Sequence, residues 1–389
     1  MGMNFADLLT YADIDTLQRM ASHYGCGHDL HSKNDLISSL LHHLGGKSRL
    51  EGEVDTLSEA EFRFLQQLCF DSRDLFSQEE LLAKGRAALD GKKEEPRRLV
   101  RLACRKGWLF PGFSHRHKYL FRMPADLRRR YLNLFADKYG EGGGPSPSAY
   151  RSEEGLLEED LYRFLTFLYR HEVRLTSEGG IYRQQQRQLF QTFQVREDPI
   201  DRKGWRFGFG RRYHLYPDRF SLLYDYAFFK GYIAEDEMEG CLRLTEAGAG
   251  KVMDNEVGEG KELYRFWLRL YKKPIPQLAM IVKWVELLAR ESWQETDRLF
   301  EVASPWMASY YYESEEDLFH RIMKMMLHLG LLRIGETGQS RVVRMNPTGR
   351  GWISGVAGFA ESTLDKRWSE PAPDQNFSRR AGDRPLGME

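Results

Sequence analysis

No run of about 18 apolar residues occurs in the sequence, so no membrane-spanning helix is expected. The opening stretch, MGMNFADLLTYADIDTLQ, puts no basic residues ahead of an apolar segment and carries Asp7, Asp13 and Asp15, which does not read as a secretory leader. Cysteine is scarce: Cys26, Cys69, Cys104 and Cys241 lie far apart with no C-x-x-C pair, which fits a reducing compartment and argues against a disulfide framework or a four-cysteine zinc site. Net charge is absent as well. The 57 basic and 57 acidic side chains cancel, so affinity for a polyanion has to reside in local patches. Catalytic signatures are also missing. Gly45, Gly46, Lys47 and Ser48 supply only the end of a phosphate-cradling loop, without its first glycine or a preceding strand, and neither H-E-x-x-H nor G-x-S-x-G occurs. A nuclease site assembled from scattered acids would leave no such motif. The expectation is therefore a cytoplasmic, nucleoid-associated chain that is no enzyme and has no cofactor, no small-molecule substrate and no membrane partner.

Aromatic residues, in contrast, are plentiful at 13% of the 389 residues, enough to build several modest cores. The most informative pattern is a phrase written three times. In Ser221 to Gly250, apolar residues recur at helical spacing through Leu222, Leu223, Tyr226 and Phe229. Gly231 stops the helix, Tyr232 and Ile233 open a ribbon, and Cys241 to Leu244 return. Arg98 to Met123 repeats the phrase around Gly107, and Leu318 to Met345 around Gly330. From Gly107, Gly231 and Gly330 to the end of the return strand the intervals are 16, 13 and 15 residues, as a shared supersecondary unit with variable loops would give. A helix followed by a two-stranded hairpin is the second half of a winged helix. The pattern thus predicts tandem winged helices, mainly α with small β-hairpins (α+β), although any amphipathic helix before a glycine and a hairpin has this look.

Residues 5 to 45 form a separate small helical module. Ile14, Leu17, Met20 and Ala21 mark one helix ending at Gly25, and Ser32 caps a second whose Leu36, Ile37, Leu40, Leu41 and Leu44 share a face. The pattern LxxMAxxYG followed by SKNDLISSLL, with Lys33, Asp35, Leu36 and Ile37 in its key places, resembles the SAP domain and the helical N-terminal domain of transcription terminator Rho. That resemblance implies a module that binds nucleic acid, with Lys33 as a contact, or one that serves protein interaction. His23, Cys26, His28, His31, His42 and His43 crowd the same stretch. Their spacing matches no established zinc pattern, and helix-end capping accounts for them, so no metal is expected.

Residues 55 to 139 are expected to form the first winged helix. Ser58 with Glu61 and Ser77 with Glu80 are capping boxes, and Pro96 leads a third helix. From Pro96 to Arg130 eleven basic residues face one acid, Asp126. Arg97, Arg98, Arg101 and Arg105 share a helix face, Lys106 follows, and Arg116 and Lys118 fall in the wing. In a winged helix bound to DNA the third helix enters the groove and the wing touches phosphate, so these residues are the candidate phosphate contacts. The alternative is a merely solvated basic face. Residues 140 to 152, rich in glycine, serine and proline, read as a flexible linker.

Residues 153 to 252 carry the second copy. Val173, Arg174, Leu175, Thr176, Gly179, Gly180 and Ile181, with Leu244 and Thr245, resemble the helicase-associated domain at the N-terminus of XPB-type repair helicases and in bacterial proteins that accompany them. The likeness implies an accessory role beside a helicase in DNA repair or remodelling. Between these halves Arg206, Arg211 and Arg212 alternate with Trp205, Phe207, Phe209 and Tyr213, a second candidate nucleic-acid patch, or else a hairpin whose aromatics pack on their own domain. Residues 261 to 359 are the third copy, in which Met323, Met325 and Met326 offer either a partner surface or core filler. Residues 362 to 389 lack periodicity and are expected to be disordered. The expected partners are duplex or forked DNA and a helicase or other protein. The alternatives are a scaffold for a helicase or RNA polymerase with little DNA affinity, and a winged-helix transcription regulator.

Overall fold

A computed structural model describes residues 2–26, 31–113, 117, 119–140, 143–201, 206–255, 257–310, 312–338, 340–355 and 364. Its contacts define two compact units, one comprising Met1–Glu154 and Gln277–Glu361 and the other containing Gly155–Pro276. The described residues are mainly helical with small antiparallel sheets, and no helix among them is long and apolar enough to cross a membrane.

The first unit opens with four helices, α1 (Phe5–Tyr11), α2 (Ile14–Tyr24), α3 (Lys33–Gly45) and α4 (Lys47–Asp55). Asp13 accepts the Thr16 N–H at 2.7 Å to start α2, and Gly25, at φ 60°, ends it in the left-handed conformation that suits glycine. Leu17, Met20, Leu36, Leu40 and Leu44 are buried, whereas Ile14 and Leu41 stay partly exposed.

Next come α5 (Glu59–Phe70), β1 (Leu75–Ser77), α6 (Gln78–Leu89), α7 (Pro96–Arg105), the hairpin β2 (Phe110–Pro111) and β3 (Leu120–Arg122), and α8 (Ala125–Gly140). Both serine-glutamate capping boxes form. The strand order is β1-β3-β2, with Leu75 opposite Arg122 and Phe110 opposite the same arginine. Gly107 (φ 68°) turns the chain from α7 into the hairpin. A side chain there would collide with Met20 and Phe5, so this glycine also lets the N-terminal helices seat against the turn.

The expected linker is tied down over its described part. The Gly144 N–H donates to the Trp293 carbonyl at 2.8 Å, and β4 (Tyr150–Ser152) adds to a sheet of the same unit. Small residues allow the close approach here: a Cβ on Gly144 would stand 3.1 Å from Val342. Glu141 and Gly142 lie outside the described residues.

The second unit runs α9 (Leu156–Arg170), β5 (Val173–Arg174), α10 (Arg183–Thr192), α11 (Asp218–Phe229), β6 (Ile233–Asp236), β7 (Cys241–Leu244), α12 (Glu246–Met253) and α13 (Gly260–Tyr271). Its strand order is β5-β7-β6. Buried Arg219 on α11 meets buried Asp160 on α9 at 2.7 Å. The boundary expected near residue 261 falls later, at Pro276: Phe266 of α13 packs on Tyr226 and Phe229 at 5.6 and 5.1 Å, inside this unit.

The chain then completes the first unit with α14 (Leu278–Leu288), β8 (Gln294–Glu295), α15 (Thr296–Ala303), a short turn Ser304–Trp306, α16 (Glu315–His328), β9 (Leu332–Thr337), β10 (Ser340–Met345) and α17 (Pro347–Gly355). The sheet order is β4-β9-β10-β8. One arrangement therefore occurs three times: helix, strand, helix, helix, hairpin, with the first strand paired to the returning hairpin strand. The third copy carries β4 as an extra edge strand. Trp284, 1% exposed, joins the first and third copies by inserting between Phe70, Phe135 and Tyr139 at 5.0, 5.9 and 5.5 Å. Of the expected disordered tail, only Leu364 is described.

Candidate nucleic-acid interface

Helix α7 begins at Pro96, whose fixed φ suits the first helical position. Leu99, Val100 and Ala103 are buried and fix which side faces the core. At about 100° per residue, Arg97, Arg101, Arg105 and Arg98 then fall within an arc of about 100° on the opposite side. All four are exposed. The geometry thus brings together four of the eleven candidates. Two carry acidic neighbours: Arg98 pairs with Glu94 and approaches Glu61 at 3.8 Å, and Arg101 lies 3.6 Å from Glu95. Arg97 and Arg105 make no ion pair among the described residues.

Lys106 does not belong to this face. Its ammonium is buried and sits 3.0 Å from Glu53 Oε1, over the Trp108 ring. The other Glu53 oxygen accepts the Tyr131 hydroxyl at 3.0 Å, and Tyr131 in turn accepts the Trp108 indole N–H at 2.9 Å. Tyr24 reaches Glu53 at 3.1 Å, and its phenol is raised far above its ordinary range by burial and then by the adjacent carboxylate. Contrary to expectation, Lys106 is thus no phosphate contact but a buried ion that fastens α4 and α2 to the first repeat. Arg116 and Lys118 lie outside the described residues.

The second candidate patch is half-buried, and its cations are engaged within their own unit. Arg206 binds Asp218 and the Tyr216 carbonyl. Arg211 and Arg212 both engage Glu235, at 3.0 and 2.8 Å. Burial pushes the Glu235 carboxyl up, but hydrogen bonds from Arg212 and Tyr224 and the two guanidinium charges outweigh it and hold the group below its usual range. Phe207 and Phe209 are buried, the latter 5.4 Å from Tyr271. These aromatics pack on their own domain and do not form a stacking surface. Trp205 lies outside the described residues.

Lys33 is exposed on α3, its ammonium donating to the Thr10 carbonyl at 2.9 Å. The histidines nearby have other partners: His43 Nδ1 is 2.7 Å from Arg49, and His23 packs on Tyr24. His28 lies outside the described residues. Among the described residues no three His, Cys, Asp or Glu side chains converge as a metal would need. Met323, Met325 and Met326 are buried and fill the third copy's core, with Met323 also lining a groove on its surface.

Two features escaped sequence reading. One is a groove of about 1050 Å³ on the third copy, where Tyr150 and Arg151 of β4 face His320 and Lys324 of α16, with Tyr312 and Arg341 beside them. The other is a pair of stacked, exposed rings, Tyr11 and Phe113. Neither has a local signature, because each is assembled from segments remote in sequence. The chain matches no family model, no curated protein and no solved structure.

Proposed function

We propose that this chain is a DNA-binding accessory protein without catalytic activity, built from three winged helices behind a SAP-like module, and that it works beside a helicase in DNA repair or remodelling. The arginine face of α7 carries the reading. It lies on the third helix of the first repeat, immediately before the hairpin, where a winged helix meets the DNA groove. An arginine guanidinium is the side chain best suited to phosphate oxygens. The recurring strand order of the three copies supports the winged-helix assignment, and the likeness of the second copy to helicase-associated domains supports the accessory role. A second reading, a docking scaffold for a helicase or polymerase, draws on the zero net charge and on the mixed-charge groove of the third copy.

A salt titration of duplex binding tests the first reading. Log affinity should fall steeply with log salt, and Arg101→Glu/Arg105→Glu should flatten the slope by about one unit for each lost phosphate contact. Binding that is absent at low salt, or that the double variant leaves unchanged, overturns it in favour of the scaffold.

A further inference from the structure

The rings of Tyr11, at the end of α1, and Phe113, just beyond β2, lie 4.3 Å apart and 7° from parallel. They remain 57% and 51% exposed. Each ring gives one face to the other, so exposure of this size leaves the outer face of each open to water. Phe110, three residues before Phe113, is anchored edge-on to Phe5 of α1 at 5.8 Å, which fixes the hairpin base against the helix that carries Tyr11. The Lys33 ammonium, on the carbonyl of Thr10, stands one residue from Tyr11 along the chain. A carbonyl is neutral, so the lysine's charge is not cancelled by this bond. Asp13, whose carboxyl is held below its usual range chiefly by the Thr16 hydrogen bonds, also feels Lys33. Tyr119, on the far side of the same hairpin, is 76% exposed.

We propose that Tyr11 and Phe113 form a stacking platform for an unpaired nucleobase, with Lys33 on the adjoining phosphate, so that the protein recognises DNA where duplex gives way to single strand. The inference rests on the DNA-binding reading of α7. Flat, open, preordered rings beside a cation match a base and its phosphate, and stacking of this kind ignores base identity. A paired base inside a duplex cannot offer its face. Phe113 follows Arg105 by eight residues, so chain reach puts the platform no more than about 28 Å from the arginine face. That is roughly eight base steps of DNA, within one footprint.

The test compares a blunt duplex with the same duplex bearing an unpaired arm that contains a fluorescent adenine analogue. Wild type should bind the armed DNA about tenfold or more tightly than the blunt one, and should change the analogue's emission on binding. Tyr11→Ala/Phe113→Ala should abolish the difference while leaving blunt-duplex affinity intact, and Phe113→Trp should retain it. Circular dichroism should show the variants folded, since both rings are on the surface. Equal wild-type affinity for the two DNAs, or an undiminished preference in the double alanine variant, overturns the platform but leaves the α7 reading standing. Failure to bind either DNA overturns both.

Discussion

Asp225 shows how one carboxylate can set the pH response of a domain. It is fully buried on α11, its Oδ1 accepts the Arg211 N–H at 3.1 Å, and its Oδ2 has no partner among the described residues. Gly210, at φ 125°, passes so close that a Cβ would lie 1.7 Å from Oδ2. Burial dominates the Arg211 hydrogen bond and charge, and the carboxyl is pushed up to about 8 from the ordinary 3.8. Between those values the folded chain holds a proton that the unfolded chain has released. Stability from this group is therefore complete below about 4 and is lost as pH rises through about 8. Asp225→Asn has nearly the same shape and no charge. Its unfolding midpoint in urea should gain on wild type steadily from pH 5 to 8 and no further above that, and parallel profiles would refute the assignment. The residue scale also marks where sequence reading stops. Lys106 stands next to four exposed arginines and differs from them only because Glu53, 53 residues earlier in the chain, waits in the core for its ammonium. No local spacing encodes that meeting.

At the scale of elements, much was legible. Apolar periodicity marks Gly107, Gly231 and Gly330 as helix stops, and all three occupy left-handed backbone, at φ 68°, 71° and 71°. The return strand Cys241–Leu244 lies where the helix-glycine-hairpin phrase places it, and the third copy's, Ser340–Met345, ends at the expected Met345. The strands β1 and β8 leave no pattern in the sequence, since two or three residues are too few to establish a period. Helical spacing alone places Arg97, Arg98, Arg101 and Arg105 on one exposed side of α7. What spacing missed is the acids at its start. Glu94 and Glu95 partly neutralise Arg98 and Arg101, and they also suit the positive end of the α7 dipole. Glu94→Gln/Glu95→Gln should therefore tighten duplex binding by roughly 3- to 10-fold at low salt. Stability should fall by no more than about 1 kcal/mol, because exposed ion pairs and helix-end charges contribute little. Anisotropy titrations and thermal melts check both halves. Unchanged or weakened binding would mean that DNA does not approach this face.

At the scale of the molecule, the first and third copies are not independent of each other. The first and third share a core through Trp284, Phe70 and Phe135. The Arg63 guanidinium, 5.5 Å from the Trp306 ring, donates to the Pro305 carbonyl at 2.5 Å, and the Trp306 indole N–H donates to Gln66 at 2.8 Å. The second copy, which lies between them in the sequence, forms its own compact unit. A linear reading cannot reveal this, because a hydrophobic face looks the same whether its partner comes next in the chain or two hundred residues later. The arrangement has a thermodynamic consequence. A fragment of residues 1–154 leaves Phe70 and Phe135 without Trp284, and losing a buried tryptophan alone costs about 3 to 5 kcal/mol, a large share of what holds an ordinary domain folded. A fragment of residues 155–276 keeps all three strands of its sheet together with the Arg219–Asp160 pair. Expressed separately, the inner fragment should give a cooperative urea transition, whereas the N-terminal fragment should unfold at lower urea than the full chain or aggregate. In the intact protein, Trp284→Ala should lower the transition of the outer unit and leave that of the inner one in place. If residues 1–154 unfold at the same urea concentration as the intact outer unit, the shared core contributes no stability, and the first and third copies are independent domains after all.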